Sequence, residues 1–286
     1  MTIETITQLD RLRTVVDGWR RDRLRVGFVP TMGNLHAGHH SLIKLARGHA
    51  DRVVASVFVN PTQFGPQEDF SRYPRTPDQD AAGLADAGCD ALWLPTVETM
   101  YPHGVDAAVQ VRVPVVTQIL EGAHRPGHFD GVATVVTRLL NQVRPDVAAF
   151  GSKDYQQLAV IRYLVRDLAF PLEVLAGATL REPDGLAMSS RNQFLSPAQR
   201  GQAVEIHRTL LAMRDAYLSG AALDSVEALA LARLRAAGFE PDYAALRCAD
   251  LAIPVDGHQT ASVALIAARV GSTRLIDNLE FQVKPS

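Results

Sequence analysis

The distribution of apolar residues predicts alternating strands and helices over the first two-thirds of the chain. The run at 53–59 is almost continuously apolar, as expected for a strand that is buried on both faces. Amphipathic stretches separate the apolar runs, and this alternation is typical of right-handed βαβ units in an α/β fold with a parallel sheet. The predicted strands are 25–30, 53–59, 91–94, 147–150 and 172–180. The predicted helices run from the turn at 31–34 to about residue 50 and over 76–87, 131–143 and 154–168.

The pattern changes after about residue 179. Ser196 and Pro197 supply an N-cap and a proline at the first helical position, so we predict a long helix that ends near Ser219. A second helix over 223–237 and β-like runs at 242–247 and 262–270 follow. We therefore predict two domains, an α/β domain over 1–179 and a smaller α+β domain over 180–286.

Composition and charge narrow the class of protein. The chain has 286 residues, 47% of them hydrophobic, and a net charge of −2 argues against a nucleic-acid-binding surface. The two cysteines, Cys89 and Cys248, are far apart, which argues against a disulfide framework or a cysteine-based zinc site. No signal peptide or apolar run of membrane-spanning length, roughly 18 residues, is evident. We expect a soluble cytoplasmic protein that binds neither nucleic acid nor membrane.

The first polar cluster, at 30–39, follows the first predicted strand and leads into a helix whose N-terminal amides favour phosphate. His36 and His39 are spaced so that both can project from one helical face, and Gly33 and Gly38 allow close approach of a nucleotide. Two alternatives remain: surface histidines beside a turn glycine, or a metal site that includes His40. Carboxylates and cysteines at ligand spacing are absent nearby, which disfavours the metal site. The chain has no GxxxxGK[ST] motif, and no GxGxxG follows the first strand, which weakens kinase and dehydrogenase interpretations.

Two further polar clusters follow the fourth and fifth predicted strands. In 151–157, Lys153 can pair with phosphates and Asp154 is placed to cap a helix. In 188–192, hydroxyls and the Arg191 guanidinium suit the β- and γ-phosphates and the departing pyrophosphate. Each cluster alone can be a solvated turn. Together, at the carboxyl ends of parallel strands, they predict a nucleotide site.

These clusters resemble the signatures of the nucleotidyltransferase superfamily that includes the class I aminoacyl-tRNA synthetases. His36-Ala-Gly-His39 is similar to its His-Ile-Gly-His motif. Met188-Ser-Ser-Arg191 is similar to its Lys-Met-Ser-Lys-Ser loop, with Arg191 where a lysine is usual. Over about 25–280 the chain resembles the pantothenate synthetase family, although Ser152 stands where glutamate is expected. The segments that carry this resemblance are 30–36, 58–61, 63–64, 73–76, 125–129, 151–154, 184–192 and 274–278.

The resemblance implies an activity, a fold and a set of site residues. The activity is ATP-dependent condensation of pantoate with β-alanine to pantothenate, AMP and pyrophosphate through a pantoyl-adenylate. The implied fold is a Rossmann-like domain followed by a C-terminal domain that acts as a partial lid, in a homodimer. Mg²⁺ is expected to arrive with ATP. Asp80 lies near the pocket in the family's layout, but Gln79 beside it leaves no firm metal site, so the Mg²⁺ ligands stay unassigned.

The site residues are carried over by position. His39 is expected to be the electrostatic catalyst and proton donor, with His36, Lys153 and Arg191 as further catalytic residues. Residues implied to hold pantoate or β-alanine are Gln63, Gln157, Asn60, Tyr73, Arg125 and His128. Residues implied to contact ATP are Met32, Gly33, Asn34, Leu35, His36, Ala37, Gly38, His39, Gly151, Ser152, Lys153, Asp154, Leu180 (expected on the fifth strand), Met188, Ser189, Ser190 and Arg191.

Two rival functions remain open. One is another HxGH transferase that stops at a nucleotidyl product, and the other is a nucleotide-binding regulator with a dead site.

Gly185 is also expected to act as a hinge for the loop at 188–191, so that Gly185→Pro would be harmless only if that loop were rigid.

Overall fold

The structure, a computed structural model, describes residues 3–65, 70–255 and 261–282. Its strands are β1 (Glu4–Ile6), β2 (Val26–Thr31), β3 (Arg52–Val57), β4 (Ala91–Trp93), β5 (Val147–Gly151), β6 (Glu173–Gly177), β7 (Glu240–Arg247), β8 (Val263–Val270) and β9 (Thr273–Glu280). Its helices are α1 (Leu9–Arg21), α2 (Ala37–Arg47), α3 (Pro77–Asp86), α4 (Val97–Met100), α5 (Glu121–His124), α6 (His128–Val143), α7 (Tyr155–Asp167), α8 (Pro197–Leu218) and α9 (Leu223–Ala236). Short 3₁₀ turns span Pro61–Gln63, Phe70–Arg72, Ser152–Asp154 and Ser190–Phe194.

Six parallel strands form the first sheet, in the order β1-β4-β3-β2-β5-β6, which confirms the predicted fold class. From β2 the chain moves outward through β3 and β4 and then returns to β5 on the other side of β2. This reversal places a topological switch point beside β2, where ligands of open α/β sheets bind. The three polar clusters follow β2, β5 and β6, which are neighbours in the sheet.

The sheet is buried on both faces, which explains its continuous apolar runs. Phe28 and Trp93 pack on one face with α1, α6 and α7, whereas Val29 and Leu92 pack on the other face with α2 and α3. Alternate residues of each strand therefore enter different apolar layers, as the two-residue period of a strand requires.

The chain divides into two compact units, one of Met1–Ser152 with Gln156–Ala178 and one of Lys153–Tyr155 with Thr179–Ser286. The second unit contains the antiparallel sheet β7-β8-β9, which packs with α8 and α9 around Leu210 and Leu246. The short segment Lys153–Tyr155 belongs to this second unit although it follows β5 directly. Within the described residues, no helix is both long and apolar enough to cross a bilayer.

Several elements differ from the prediction. Strands β1 and β9 and helix α1 were not predicted, and β6 ends at Gly177. The expectation that Leu180 lies on this strand is therefore wrong: Leu180 lies beyond it, and its carbonyl accepts a hydrogen bond from Met188 N at 2.9 Å.

Candidate active site

A buried carboxylate shapes the turn between β2 and α2. Gly33 and Asn34 both adopt positive φ, +87° and +52°, and a Cβ at Gly33 would lie 3.0 Å from Asp80 Oδ2. Asp80 is 2% exposed and accepts hydrogen bonds from Asn34 N at 3.0 Å and Leu35 N at 2.8 Å. The hydroxyl of Thr76 donates to the same carboxylate at 3.1 Å. The two backbone amides of the turn are thus held by Asp80 of α3, which is a positioning residue for the whole segment.

His36 is the N-cap of α2, so the prediction that both histidines project from the helix is wrong for His36. Its backbone is extended, at φ −136° and ψ 177°, yet the two rings still lie side by side with centroids 4.2 Å apart. A reciprocal capping arrangement joins them. His36 Nδ1 accepts from Gly38 N at 3.1 Å, and His39 Nδ1 accepts from His36 N at 3.3 Å.

This capping arrangement determines which ring nitrogen carries the proton. Because Nδ1 of each ring accepts a hydrogen bond from a backbone N–H, the proton of each neutral imidazole must be on Nε2. Both Nε2–H groups are therefore hydrogen-bond donors at neutral charge. Two donors at a helix N-terminus suit negative charge that develops on a phosphate.

His40 does not join this pair. Its ring packs against Gly83 of α3, where a Cβ would lie 2.6 Å from Nε2. Burial, helped by the nearby charge of Lys44, lowers the pKa of His40, although Asp80 and Asp86 oppose the shift. Among residues 3–65, 70–255 and 261–282, no group of three His, Cys, Asp or Glu side chains is placed to hold a metal ion.

A second polar network fixes the amide of Gln63. Burial raises the pKa of Tyr101, so its hydroxyl stays protonated and donates to Asn60 Oδ1 at 2.6 Å. Thr62 N and Thr62 Oγ1 also donate to that oxygen, at 3.3 and 3.1 Å. Asn60 Nδ2 must then be the donor to Gln63 Oε1, at 3.2 Å. Gln63 consequently presents Nε2, which lies 2.9 Å from Met32 Sδ, as its donor side.

Arg125 and His128 hold the backbone of Gln63 rather than its amide. His128 Nδ1 lies 2.8 Å from the Gln63 carbonyl, and Arg125 Nη1 lies 3.1 Å from His128 Nε2. Since a guanidinium can only donate, His128 Nε2 is the acceptor and Nδ1 carries the proton. Glu121, 6% exposed, pairs with Arg125 at 3.3 Å and neutralises its charge.

The 3₁₀ turn that carries Gln63 rests directly on Gly131 of α6. A Cβ at Gly131 would lie 2.3 Å from the Thr62 carbonyl oxygen, so the helix approaches the turn as closely as only glycine allows. Asn60 Nδ2 also donates to the Gly131 carbonyl at 3.2 Å. Gly131 therefore sets the position of Gln63.

The other predicted pantoate residues differ in their surroundings. Gln157 is half-buried, whereas its neighbour Gln156 is buried and bonded to Val116 O, Ile119 O and Glu121 N. Tyr73 is 7% exposed and packs edge-on against Phe64 with ring centroids 5.9 Å apart. The ring of Tyr73 therefore contributes to an aromatic cluster beside the turn that carries Gln63.

In the second unit, Met188–Arg191 continues from a tight hairpin. An isolated bridge joins Arg181 to Ala187, and Glu182 N donates to Leu186 O at 2.8 Å. Ser189 caps the 3₁₀ turn that carries Arg191, whose N–H donates to Ser189 Oγ at 3.3 Å. Gly151 ends β5, and Ser152, Lys153 and Asp154 form the 3₁₀ turn that leads into α7.

The hairpin corrects the expectation for Gly185. Gly185 has φ +98°, and a Cβ would lie 2.5 Å from the ring of His207. Proline requires φ near −65°, so Gly185→Pro would strain this turn whether or not the loop moves. The substitution therefore cannot distinguish a hinge from a rigid turn.

Asp80, Tyr101 and Gly131 are the residues near the candidate site that the sequence did not single out for a role. Asp80 holds the β2–α2 turn, and Tyr101 and Gly131 fix Asn60 and Gln63. Each acts across more than 40 positions of sequence, with separations of 45 for Asp80 to Leu35, 41 for Tyr101 to Asn60 and 71 for Gly131 to Asn60. Of the three, only Asp80 could be connected with the site from sequence, because the family resemblance places it near the pocket.

Comparison with known proteins gives consistent matches along the chain. Residues 4–280 match the family model for pantoate-beta-alanine ligase. A pantothenate synthetase of Xylella fastidiosa is 65% identical, covering 98% of this chain and 100% of that protein. The crystal structure of pantothenate synthetase from Thermus thermophilus is 48% identical with a TM-score of 0.90, covering 97% of this chain and 99% of that one.

A further similar solved structure is described as a complex with ligands. The chain is 32% identical, with a TM-score of 0.82 and 97% coverage of both chains, to the pantoate-beta-alanine ligase of Francisella tularensis, described as complexed with beta-gamma ATP and beta-alanine.

Proposed function

The chain belongs to the pantoate–β-alanine ligase family, and on this premise we propose how its residues divide the work of the reaction. The enzyme is an acid–amino-acid ligase that condenses pantoate with β-alanine, with ATP as co-substrate, and releases AMP and pyrophosphate. The observation that best supports the assignment of roles is the pair of Nε2–H donors on His36 and His39 at the end of β2.

In the first half-reaction, a carboxylate oxygen of pantoate attacks the α-phosphorus of ATP. The new P–O bond forms as the bond to the β-phosphate oxygen breaks, and pyrophosphate leaves with that electron pair. Catalysis here is positioning and charge neutralisation. His39, assisted by His36, donates hydrogen bonds to the α-phosphate, and Lys153 and Arg191 stabilise the departing pyrophosphate.

In the second half-reaction, the amine of β-alanine attacks the acyl carbon of the pantoyl-adenylate. The C–N bond forms, the bond to the phosphate oxygen breaks, and AMP leaves as the amine loses a proton. A mixed anhydride is a good acyl donor, so this step needs no protein nucleophile.

Two neutral amides suit recognition of pantoate. Gln63 and Gln157 can bond its hydroxyls without placing a second negative charge near its carboxylate. The orientation of Gln63 supports this role, because the Tyr101–Asn60 network leaves Nε2 as the donor toward a substrate oxygen. Asn60, Arg125 and His128 then serve by holding Gln63. Tyr73 is assigned to the same pocket on family resemblance alone.

The remaining ATP contacts are proposed on the same basis. Met32–His39 line the nucleotide, Gly151–Asp154 and Leu180 contact it from the segments after β5 and β6, and Met188–Arg191 cover its phosphates. We place Mg²⁺ on the triphosphate oxygens. Asp80 does not fit as its ligand, because its carboxylate accepts three hydrogen bonds that maintain the β2–α2 turn.

We further propose that the enzyme is cytoplasmic and, as the family resemblance implies, a homodimer. Light scattering on the purified protein measures its mass directly. A mass near twice 31.1 kDa supports the homodimer, and a mass near 31.1 kDa contradicts it.

A pyrophosphate-release assay tests the proposed function. We expect ATP to yield pyrophosphate when pantoate is present, and pantothenate and AMP to appear once β-alanine is added. A transferase that stops at a nucleotidyl product would form no C–N bond, and a regulator with a dead site would release no pyrophosphate. Pyrophosphate release that is independent of pantoate would contradict the assignment.

The polar loop around Met188–Arg191 is expected to become more ordered when substrates bind. If it closes over ATP, it also shields the adenylate from hydrolysis, as lids do. Amide hydrogen exchange over residues 184–194 should therefore slow with a non-hydrolysable ATP analogue plus pantoate. The helix α9, far along the chain from the loop, provides the internal reference. Equal exchange with and without ligands would argue against a lid.

A further inference from the structure

Strand β9 carries two adjacent buried polar residues, Asp277 and Asn278, each 5% exposed. A strand packed in a sheet normally fills its buried positions with apolar side chains, because an unpaired buried polar group is costly. Here both side chains are hydrogen-bonded to segments outside the sheet.

One contact reaches the Lys153 turn. Asn278 Nδ2 donates to the carbonyl of Lys153 at 2.8 Å. The hydroxyl of Tyr155 provides a second attachment, donating to Ala249 O at 3.0 Å. Both bonds join Lys153–Tyr155 to other residues of the second unit.

The other contacts reach the hairpin that precedes Met188–Arg191. The two carboxylate oxygens of Asp277 accept from Arg181 Nη1 and Nη2 at 2.6 and 3.0 Å. Arg181 also donates to Asn278 O at 2.9 Å and to Gly185 O at 3.1 Å. Arg181 therefore ties both the first arm and the turn of the hairpin to β9.

Arg181 is unsuited to be a phosphate ligand itself. Its guanidinium forms a bidentate pair with Asp277 and caps two carbonyls, and its side chain is only 19% exposed. His207, whose ring backs onto Gly185, has a pKa lowered by burial and then by the charge of Arg181. The Arg181–Asp277 pair therefore offers no net positive charge to a phosphate. Such a neutral, fully bonded network is suited to positioning other residues.

We propose that Arg181, Asp277 and Asn278, here called the β9 bracket, are positioning residues that anchor the Lys153 turn and the hairpin at the base of the Met188–Arg191 loop, so that Lys153 and Arg191 meet the phosphates of ATP at a defined spacing when the loop closes. This inference rests on the proposed phosphate contacts of Lys153 and Arg191. Two adjacent residues of one strand set the position of both cationic segments. Two cations match a phosphate chain closely when the segments that carry them are firmly anchored.

The decisive variant is Asn278→Ala, which releases the Lys153 carbonyl. Because misplacing a catalytic group by ~1 Å can cost about 10²-fold, we expect adenylate formation to fall by roughly 10- to 100-fold with a higher KM for ATP. Conversion of supplied pantoyl-adenylate with β-alanine should stay within about twofold of wild type, because the phosphates that leave as pyrophosphate are absent from that step. Equal loss in both half-reactions would overturn the bracket.

A second variant and a control guard against misfolding. Asp277→Asn keeps the side-chain shape and one acceptor for Arg181, and it should show the same selective loss in a milder form. The control is Asp242→Asn on β7, which removes the ion pair, at 2.7 Å, between Asp242 and Arg274 of β9. This pair involves neither Arg181 nor Lys153. Both half-reactions should be unchanged in this control, and selective loss of adenylation there would show that any damage to β9 suffices.

A double variant separates this inference from the proposed function. If Asn278 acts through the Lys153 turn, adding Asn278→Ala to Lys153→Ala should reduce adenylation far less than the product of the single effects. Fully multiplicative effects would contradict the bracket. Wild-type adenylation in Lys153→Ala would instead refute the phosphate role of Lys153. Loss in Lys153→Ala without loss in Asn278→Ala would refute the bracket alone.

Discussion

Replacing His39 with alanine is expected to slow adenylate formation by about 10²–10³-fold, equivalent to roughly 2.7–4 kcal/mol, while ATP affinity changes little. The Nε2–H of His39 is a preorganised donor, because Nδ1 is held by the backbone N–H of His36. Such a donor stabilises charge that develops in the transition state more than charge already present in ATP, so the rate is affected more than binding. Single-turnover adenylation and a separate nucleotide-binding measurement distinguish the two effects.

Matched variants show whether the imidazole itself matters. His39→Ala also removes half of the capping arrangement, and the loss of a cap typically costs about 0.5–2 kcal/mol of stability, so thermal unfolding must be measured alongside. His39→Asn retains an acceptor and a donor on a shorter side chain and should recover part of the rate. His49, exposed just beyond the other end of α2, serves as the control for losing a histidine. Near-wild-type adenylation in folded His39→Ala would remove His39 from the mechanism.

The sheet could be predicted from sequence because its central strands are buried on both faces. The residues of β3 are apolar almost throughout, as expected for a short strand that is buried on both faces. The same rule misses β1, which has only three residues and begins with two exposed positions. It also misses β9, because Asp277 and Asn278 are polar yet buried and break the expected alternation.

Residues of the candidate site were predictable from sequence where they lie in local motifs, and were not predictable where their role depends on long-range contacts. His36, His39 and Lys153 lie in short motifs that follow strands, and the sequence identified them directly. Asp80 and Tyr101 act through the folded chain, since each bonds a turn more than 40 residues away. No local sequence pattern around a single aspartate in an amphipathic helix predicts such a bond.

The HxGH motif also does not predict the backbone conformation or the ring protonation of its histidines. The HxGH spacing indicated two neighbouring imidazoles, and the rings do lie 4.2 Å apart. The spacing could not show that His36 caps the helix from an extended backbone, nor that the capping bonds put both protons on Nε2. That protonation pattern follows from backbone donors, which sequence reasoning does not locate.

Lys153→Ala and Arg191→Ala are each expected to impair the first half-reaction by about 10²-fold or more and to spare the second. Both side chains are proposed to contact phosphates that leave as pyrophosphate before the amine attacks. Supplying synthetic pantoyl-adenylate with β-alanine isolates the second step, and ATP with pantoate isolates the first. Arg191→Lys keeps the charge but loses the planar two-pronged donor, so we expect an intermediate loss.

Controls for charge alone come from exposed cations elsewhere in each unit. Lys44→Ala on α2 and Arg208→Ala on α8 each remove one positive charge from an exposed position, and both half-reactions should stay near wild type. If Lys153→Ala and Arg191→Ala instead reduce both half-reactions equally, the two side chains support the fold or a pocket shared by both steps. A loss confined to adenylation, absent from the surface controls, assigns them to the departing pyrophosphate.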